Sequence, residues 1–593
     1  MLKRILRQML TAQIFSALTV SVCLLIDNVM TARFLGEEAI AAYGLANPVL
    51  LVIGALGSLL SAGVQVTCSR SLGKGSQTET NGGYSSAVVL CAALSVPLAL
   101  LILIFNRPLA SAMGAAGQDG LLRQTRDYLI GFGVGAPGSM GALMLVPFLQ
   151  MAGQNGLLIA AVLTMTVADI AFDLLNVLVF HGGMLGMGLA SSFSYYLALI
   201  VASWYFLSRR CVFRFSRALV RPGKIAEILR SGVPAGFTMA SSVILVFVIN
   251  QILRGTGADG GVAALAAYTV IMALGNASCC VTTGVGGVTL TLTGIFYNEE
   301  NHTDLRSLVR LMTRYGLVLG AGMAGLLLIL APALVSVFIP DGGAGSAREM
   351  AVLGLRLFAA GLIPCCLNCA LKNAWQATGR VALTEVFSLL EGAVLPALAA
   401  LVLRRFLGVT GVWFWFAAGE LLALAGACVL IRVKSGSLPW QGEAALLLKP
   451  DFGVHGPDLM EAEIHDLAEV TAVSEAAERF CLSRGQDPRV ASRIALCIEE
   501  MAGNVIRHGF TQDRRPHHLS VRVLKKPDGW ILRFRDDCGA FDPVSFVPPE
   551  GQDALGIHLV LAMAQETRYT YSLNMNNLVL RLGPSGESGP REA

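Results

Sequence analysis

Charged side chains are scarce in this 593-residue sequence: they make up 14% of the residues, whereas hydrophobic residues make up 54%. Soluble domains carry about 25% charged residues, so most of this chain is not composed like a water-soluble protein. The mean hydropathy is +0.63 and the net charge is only +4. We therefore expect a lipid bilayer to surround most of the chain, and we expect no nucleic-acid partner.

The 13 cysteines lack the paired spacing of a disulfide framework or of a zinc knuckle. Several lie inside apolar runs, such as IPCCLNCA at residues 363–370, which is typical of small side chains packed between helices. A phosphate-binding loop of the form GxxxxGKS or GxxxxGKT is also missing from the sequence. ATP is therefore not expected to drive a P-loop motor in this chain.

Apolar runs dominate the first three-quarters of the chain. A membrane-spanning helix needs about 20 mainly apolar residues, and we count twelve such runs before residue 434, the eighth of them long enough to contain a break. They cover residues 9–33, 45–68, 84–105, 128–150, 157–180, 186–208, 233–253, 263–296, 315–339, 351–376, 382–403 and 409–432. The sequence thus predicts a mainly α-helical membrane protein with twelve transmembrane helices.

Lysine and arginine cluster at the N-terminus and in the loop after the sixth run, where residues 209–230 contain seven of them. Such clusters favour the cytoplasmic side of a membrane. Because the number of spans is even, both termini are predicted to be cytoplasmic. We expect a multi-pass protein of a bacterial-type inner (plasma) membrane.

The two halves of the apolar region resemble each other. AIAAY at residues 39–43 returns as ALAAY at 264–268, and the segment starting at Gly186 aligns with the one starting at Gly411, both with a shift of 225 residues. This register predicts a six-plus-six duplication, with an N-lobe at residues 1–220 and a C-lobe at 221–434. Repeated halves around a central cavity are how many secondary transporters alternate access.

Ionisable side chains at membrane depth are costly, so each is a candidate functional residue. Asp27 lies in the first run, and Asp169, Asp173 and Asn176 lie in the fifth. Asp169 and Asp173 are four residues apart and share a helix face, where neighbouring carboxylates favour proton uptake. We predict an ion-coupling or substrate role for these four residues. The alternative is that some of the three acids lie at an interface or cap a broken helix.

Further acids, Glu385, Glu391 and Glu420, lie in the last two runs. No basic partner for them is evident in the sequence, and we assign them no role.

Residues 26–75, which begin IDNVMTARFLGEEAIAAYGLANP, resemble the start of multidrug and toxin extrusion (MATE) transporters, and GVPAGF at 232–237 resembles the opening of that family's seventh helix. The resemblance covers about residues 1–434. It implies twelve helices in two lobes and export of small organic cations in exchange for H⁺ or Na⁺. In one branch, acids of the first and fifth helices couple ions, and Asp27, Asp169 and Asp173 match them, although Asp169 stands where that branch often has Asn.

The C-lobe acids of another branch are replaced in the seventh run by Asn250 and Gln251, which favours coupling through the N-lobe. The wider superfamily also contains flippases of lipid-linked precursors, so the resemblance leaves the substrate open.

The composition changes after residue 434. Residues 435–459 read as a linker, and residues 460–593 as a small cytoplasmic α+β domain with helices packed on one sheet. The pattern predicts a strand near 461–467, a helix ended by Gly485, a second helix over RVASRIALCIEEMAGNVIRHG, a hairpin turning at PDG, and then a helix followed by strands.

Three segments of this domain carry polar chemistry in order. Glu500 and Asn504 are one helical turn apart in CIEEMAGNVIRHGF, a spacing suited to a Mg²⁺-ligating Asn beside a general base. RDDCGAFDP at 535–543 is an acidic turn after a strand, and ALGIHLVLAMA at 554–564 places a glycine before a helix start, where phosphates bind.

The ordered set resembles the nucleotide-binding boxes of histidine-kinase-like ATPases, and most closely those of anti-sigma-factor serine kinases. The resemblance implies ATP and Mg²⁺ as ligands, Glu500 as general base, Asn504 as Mg²⁺ ligand, Asp536 as adenine reader, and Gly539 and Gly556 as binding glycines. Cys538 stands where the family usually has glycine. If Gly539 fills that place, Asp537 reads the base, but we favour Asp536.

Our leading hypothesis is a secondary active exporter with a cytoplasmic ATP-binding regulatory domain. Two alternatives remain at this point: a flippase of a lipid-linked precursor, and a membrane-tethered serine kinase or partner switch with a soluble protein partner. The residues do not decide whether the domain hydrolyses ATP, phosphorylates a partner or only binds nucleotide.

Overall fold

The computed structural model describes residues 2–35, 37–115, 119–208, 211–254, 258–339, 345–439, 441, 443–449, 452–454, 456–511, 515–546 and 555–583. A bundle of long apolar helices forms the larger part. A five-stranded sheet with three helices forms the smaller, C-terminal part.

The helices of the first lobe follow one another with short connections. They are α1 (Leu2–Met30), α2 (Glu37–Gly73), α3 (Gln77–Ile104), α4 (Asp119–Gly133), α5 (Ala136–Met151), α6 (Asn155–Leu175) and α7 (Gly183–Leu207). Three helices end in wider π-helical turns. Such a turn extends α1 at Thr31–Leu35 and α6 at Asn176–Phe180. A third, Ser111–Ala115, extends a short helix at Asn106–Ala110. A single 3-10 turn, Arg217–Leu219, lies in the basic loop that leads to the second lobe.

The second lobe begins at Pro222. Its helices are α8 (Pro222–Arg254), α9 (Ala258–Ser278), α10 (Cys280–Asn298), α11 (His302–Phe338), α12 (Gly345–Ala377), α13 (Val381–Leu389), α14 (Leu395–Leu407) and α15 (Trp415–Ser435). A π-helical turn at Leu390–Val394 joins α13 to α14, and a four-residue helix, Val409–Val412, precedes α15.

Eleven helical segments among the described residues are long and apolar enough to cross a membrane, and the bent pair α4–α5 brings the number to twelve. The fourth span is thus two helices at 45°, because Gly133, Gly135 and Pro137 interrupt the regular backbone between them. The break expected in the eighth span lies at Cys279, between α9 and α10. The first span begins at Leu2, seven residues before the predicted start.

Each lobe has its own apolar core. One cluster of buried side chains lies within residues 12–228 and another within residues 245–416. Helices α2 and α8 cross closely between the lobes, since a Cβ at Gly63 would overlap the carbonyl group of Ile228, and one at Gly232 would overlap that of Leu59.

The C-terminal domain is a sheet covered by helices on one face. Its strands are β1 (Leu459–Ile464), β2 (Leu519–Lys526), β3 (Gly529–Asp536), β4 (Glu566–Ser572) and β5 (Met575–Leu582), in the antiparallel order β1-β2-β3-β5-β4. Its helices are α16 (Leu467–Ser483), α17 (Pro488–Asn504) with a π-helical turn at Val505–Gly509, and α18 (Leu555–Met563). The strands and helices predicted for this region are confirmed.

Alternate residues of a strand point to opposite faces of a sheet. In β3 one face therefore packs under the domain's own helices, and the other packs against the membrane helices. Leu532 and Phe534 of β3 join the core beneath the helices. Arg533 and Arg535 alternate with them along β3, and they are buried against the membrane helices instead. The side of the helical bundle that meets the sheet, formed by the turns after α2, α5 and α10, is called the domain face below.

Candidate functional site

A pocket of about 680 Å³ opens in the C-terminal domain between α17, α18 and the ends of β3 and β5. It brings together all five residues predicted to bind nucleotide. Its walls include Glu500, Asn504, Asp536, Gly539 and Gly556. A volume in this range suits a ligand of the size that protein pockets usually enclose, roughly 300–1,000 Å³.

Asp536 lies at the end of β3 and is only 4% exposed. Its Oδ1 accepts hydrogen bonds from Asn576 Nδ2 at 2.8 Å and from the Cys538 N–H at 3.1 Å. Burial raises the pKa of the Asp536 carboxyl, and these two hydrogen bonds oppose the rise only in part. The group is therefore a buried acceptor that takes up a proton more readily than an ordinary Asp.

The neighbouring Asp537 makes different contacts. It accepts a hydrogen bond from the His518 N–H at 2.8 Å and lies 3.2 Å from His517 Nδ1. Its other oxygen lies 3.9 Å from Arg4 near the start of α1. Strand alternation thus directs Asp536 into the pocket and Asp537 toward the first helix.

Glu500 and the start of α18 lie side by side. A Cβ at Gly556 would overlap Glu500 Oε2, so a larger residue at this position would displace the Glu500 carboxylate. Asn504 follows one turn after Glu500 on the same helix and also lines the pocket. The first-turn N–H groups of α18, which attract anions, therefore lie near both polar residues of α17.

Several pocket residues carry a signal that the sequence reasoning did not use. Asn576 is the most connected of them: besides Asp536, it bonds the Gly539 carbonyl at 3.0 Å, the Phe541 N–H at 3.0 Å and the Tyr569 hydroxyl at 2.7 Å. An asparagine pair, Asn576–Asn577, inside an otherwise apolar strand was the available sign. Arg507 and His508 add basic side chains to the wall.

A second polar site lies inside the N-lobe, where α1 meets α6. Asp27, Asp169 and Asp173 are 8%, 5% and 1% exposed, and no hydrogen-bond donor within the described part of the chain reaches either carboxyl oxygen of Asp173. Ser194 of α7 donates a hydrogen bond to Asp169 Oδ1 at 3.0 Å. The structure thus places three buried carboxyl groups from two helices at one point.

Asn176, the fourth residue predicted for this site, makes its hydrogen bonds elsewhere. Its Nδ2 donates to the Gly183 carbonyl at 3.1 Å, and its Oδ1 accepts from the Gly182 N–H at 3.1 Å. The side chain therefore holds the turn between α6 and α7.

Comparison with known proteins shows what the membrane portion resembles. The family model described as MatE matches residues 12–179. The multidrug export protein MepA of Staphylococcus aureus (strain NCTC 8325 / PS 47) is 25% identical over 419 residues, which are 69% of this chain and 90% of MepA. The membrane portion of this chain resembles MATE proteins in sequence and in fold.

Other known proteins show a similar resemblance. An FAD transporter of Shewanella oneidensis is 28% identical over 242 residues, which are 38% of this chain and 51% of that protein. The crystal structure of a MATE protein in complex with MaL6 matches with a TM-score of 0.67 at 19% identity, covering 72% of this chain and 94% of the other. An outward-facing MATE transporter matches with a TM-score of 0.66 at 20% identity over 72% and 94%. At these identities the solved structures establish the fold alone.

The C-lobe contains a buried polar cluster that the sequence analysis missed. Lys372 Nζ lies 2.7 Å from Glu391 Oε2, and Asn368 Nδ2 donates to Glu420 Oε2 at 2.7 Å. The statement that these two glutamates lack a partner is therefore wrong. A lysine inside the apolar tenth span was the sign that an acid of another span would pair with it.

Cys365 belongs to the same cluster, because its Sγ and one oxygen each of Glu391 and Glu420 lie within 4.8 Å of one another. Three such donors resemble a metal-ligand set. The ammonium group of Lys372 already supplies the positive charge beside Glu391, so we assign no metal to them.

Proposed function

We propose that this protein is a secondary active exporter of small organic cations in exchange for H⁺ or Na⁺, regulated by ATP binding to its C-terminal domain. The observation that carries the transport proposal is the group of three buried carboxyls, Asp27, Asp169 and Asp173. The proposed location is a bacterial-type inner membrane, with both termini and the domain on the cytoplasmic side.

The charge of this group supports ion coupling. Three carboxylates in a low-dielectric interior repel one another, so a proton, a Na⁺ ion or a cationic substrate relieves the repulsion. An ion and a cationic substrate that compete for the same carboxylates cannot both be bound stably, which is the requirement for exchange. MepA is named a multidrug export protein and the Shewanella relative an FAD transporter, so the substrate panel must include both organic cations and a dinucleotide.

Reconstitution into proteoliposomes tests the proposal. We expect an imposed pH or Na⁺ gradient to drive uptake of a fluorescent organic cation without ATP, and we expect Asp173→Asn to abolish it. Asp127→Asn is the matched control, because Asp127 is an N-lobe acid that is about 30% exposed and pairs with Arg126 at 2.7 Å. Uptake that persists in Asp173→Asn, or that fails equally in Asp127→Asn, contradicts the assignment.

The residues of the domain pocket fit ATP and Mg²⁺. Asp536 supplies a buried acceptor for an adenine amino group, and the start of α18 at Gly556 supplies N–H donors for phosphates. The Asn504 amide oxygen is a ligand of the kind Mg²⁺ prefers, and Glu500 is proposed as the general base. Bound Mg²⁺ would neutralise phosphate charge. Gly539 lines the same pocket.

Equilibrium binding of a fluorescent ATP analogue to the full chain tests this site. We expect Asn504→Ala and Asp536→Ala to weaken binding by tenfold or more, since each loses a ligand contact worth at least about 1.4 kcal/mol. Glu499→Ala is the matched control, because Glu499 is the adjacent acid of α17 and instead accepts a hydrogen bond from Ser474 at 2.9 Å. Equal affinity in all variants would refute the nucleotide site.

A further inference from the structure

The nucleotide pocket shares two strands with the surface that docks on the membrane helices. Asp536 of β3 and Asn576 of β5 are directly opposite in the sheet register and are joined by a 2.8 Å hydrogen bond inside the pocket. Arg535, the residue before Asp536, points to the other face of the sheet. Asn574 lies in the turn before Asn576, and this turn extends to the membrane helices. Both of these neighbours contact the membrane portion, one on each lobe.

The contact with the C-lobe is ionic and buried. Arg535 pairs with Glu299, and its Nη1 lies 3.1 Å from Asp304 Oδ2. Arg533 Nη1 lies 3.4 Å from the same Glu299, which is itself 4% exposed. Burial alone lowers the pKa of Arg535, but Glu299 and Asp304 more than compensate and raise it, so this guanidinium is held as a charged partner of the turn after α10.

The contact with the N-lobe is made by the turn between β4 and β5. The Leu573 N–H donates to the Met151 carbonyl at 2.7 Å, and Asn574 Nδ2 donates to the Gly153 carbonyl at 3.2 Å. Gly153 has φ +72°, and a Cβ there would overlap Asn574. On β4, Arg568 Nη1 donates to a third turn residue, the Lys74 carbonyl, at 3.0 Å.

The two lobes meet directly at this same face. Gln65 of α2 donates to the Gly287 carbonyl of α10 at 3.0 Å. Further along these two helices, a Cβ at Gly294 would overlap Ser69. The domain therefore bridges two lobes that are already closed against each other on the domain face.

We propose that the C-terminal domain is a nucleotide-sensitive clasp that holds the two lobes together at the domain face. Separating the lobes would pull Arg535 and Asn574 in different directions. Because these residues flank the Asp536–Asn576 bond, the pocket is complete only while both contacts hold. Nucleotide then binds the closed arrangement more tightly and, by reciprocity, stabilises it. This inference rests on the proposed nucleotide site.

The test measures the distance between the lobes in the full chain in nanodiscs. Fluorophores are placed through bio-orthogonal amino acids at two exposed positions near the domain face, Thr78 on the N-lobe and Arg310 on the C-lobe. Energy transfer is recorded during titration with Mg·ATP, and binding of the nucleotide is recorded separately. We expect ATP to increase the fraction of molecules with the short distance.

The double variant Asn574→Gly, Arg568→Gln removes two N-lobe hydrogen bonds outside the nucleotide pocket. Asn574 has φ +59°, so glycine keeps the turn. Asp528→Asn is the matched control, since Asp528 pairs with Arg581 on the same sheet and its side chain is 66% exposed. We expect the double variant to lose the ATP-dependent distance change and to bind ATP about 5-fold or more weakly, within the usual range of coupling between sites, whereas the control matches the unmodified protein.

The outcomes separate the two proposals. If ATP binds but the distance does not respond, or if the double variant responds like the control, the clasp is refuted and the nucleotide site stands. If the unmodified protein binds no ATP, the nucleotide site fails and the clasp fails with it. If ATP lengthens the distance, the domain acts in the opposite sense and the inference is wrong.

Discussion

The ion pair between Glu299 and the sheet arginines makes a quantitative prediction about docking. Glu299→Gln keeps the size of the side chain and removes its charge, which leaves Arg533 without its carboxylate and Arg535 with Asp304 alone. Removing one partner of a buried ion pair costs about 3–5 kcal/mol. Because Arg535 keeps its second partner at 3.1 Å, we expect the lower value, about 3 kcal/mol.

Hydrogen exchange of the full chain in nanodiscs measures this cost. A loss of about 3 kcal/mol corresponds to roughly 150-fold faster exchange of the β2 and β3 amides, at tenfold for every 1.4 kcal/mol. Asp528→Asn removes an exposed pair with Arg581 in the same sheet. It should cost less than about 1 kcal/mol, or about fivefold at most.

A second substitution sharpens the result. Adding Arg533→Gln to Glu299→Gln removes the guanidinium group that the first change leaves without a counter-charge, so part of the lost protection should return. Exchange in Glu299→Gln that is no faster than in Asp528→Asn would refute the reasoning, because the buried pair would then contribute nothing to docking.

Three further predictions concern the two sites. Asp173→Asn should abolish gradient-driven uptake yet retain exchange of labelled for unlabelled substrate, because an amide cannot bind and release the coupling proton; loss of both activities contradicts this. Gly556→Ala should weaken ATP binding by roughly twofold to tenfold, since its Cβ would overlap the end of the Glu500 side chain and shifting that side chain off its rotamer costs about 0.5–1.5 kcal/mol; calorimetric titration measures it, and unchanged affinity refutes it. The pKa of Asp536 is raised by burial, so protonation of this acceptor should weaken ATP binding as the pH falls, beginning at a higher pH than for an ordinary Asp, and Asp536→Asn should remove that pH dependence.

The sequence alone predicted the features that depend on neighbouring residues. The length of each apolar run determines a span, and the alternation and turn residues of the last 130 residues determine strands and helices; both agree with the structure. The five pocket residues were found because their boxes are short local patterns. Even the break at Cys279 follows from the length of one run.

Features that join distant segments could not be predicted in this way. Lys372 and Glu391 belong to different spans and meet only after the lobe has folded. The 45° bend between α4 and α5 depends on how neighbouring helices pack around Gly133 and Pro137. Asn176 lies about one helical turn beyond Asp173, which is why the sequence analysis grouped it with the acids. The π-helical turn that begins at Asn176 instead directs its amide to Gly182 and Gly183.

The sequence of β3 indicates which face of the sheet docks on the membrane helices. In β3 the sequence WILRFRD places Leu532, Phe534 and Asp536 on one face, and Arg533 and Arg535 on the other. A polar strand face usually contacts water, where arginines need no partner. Here Arg522 of the adjacent β2 shares that face, and all three arginines are less than 10% exposed. Arg522 pairs with Glu461 of β1 within the same sheet, so only Arg533 and Arg535 need acids from elsewhere in the chain. Glu299 and Asp304 of the membrane portion supply them, so the face that looks solvated in the sequence is the one that docks the C-terminal domain on the membrane helices.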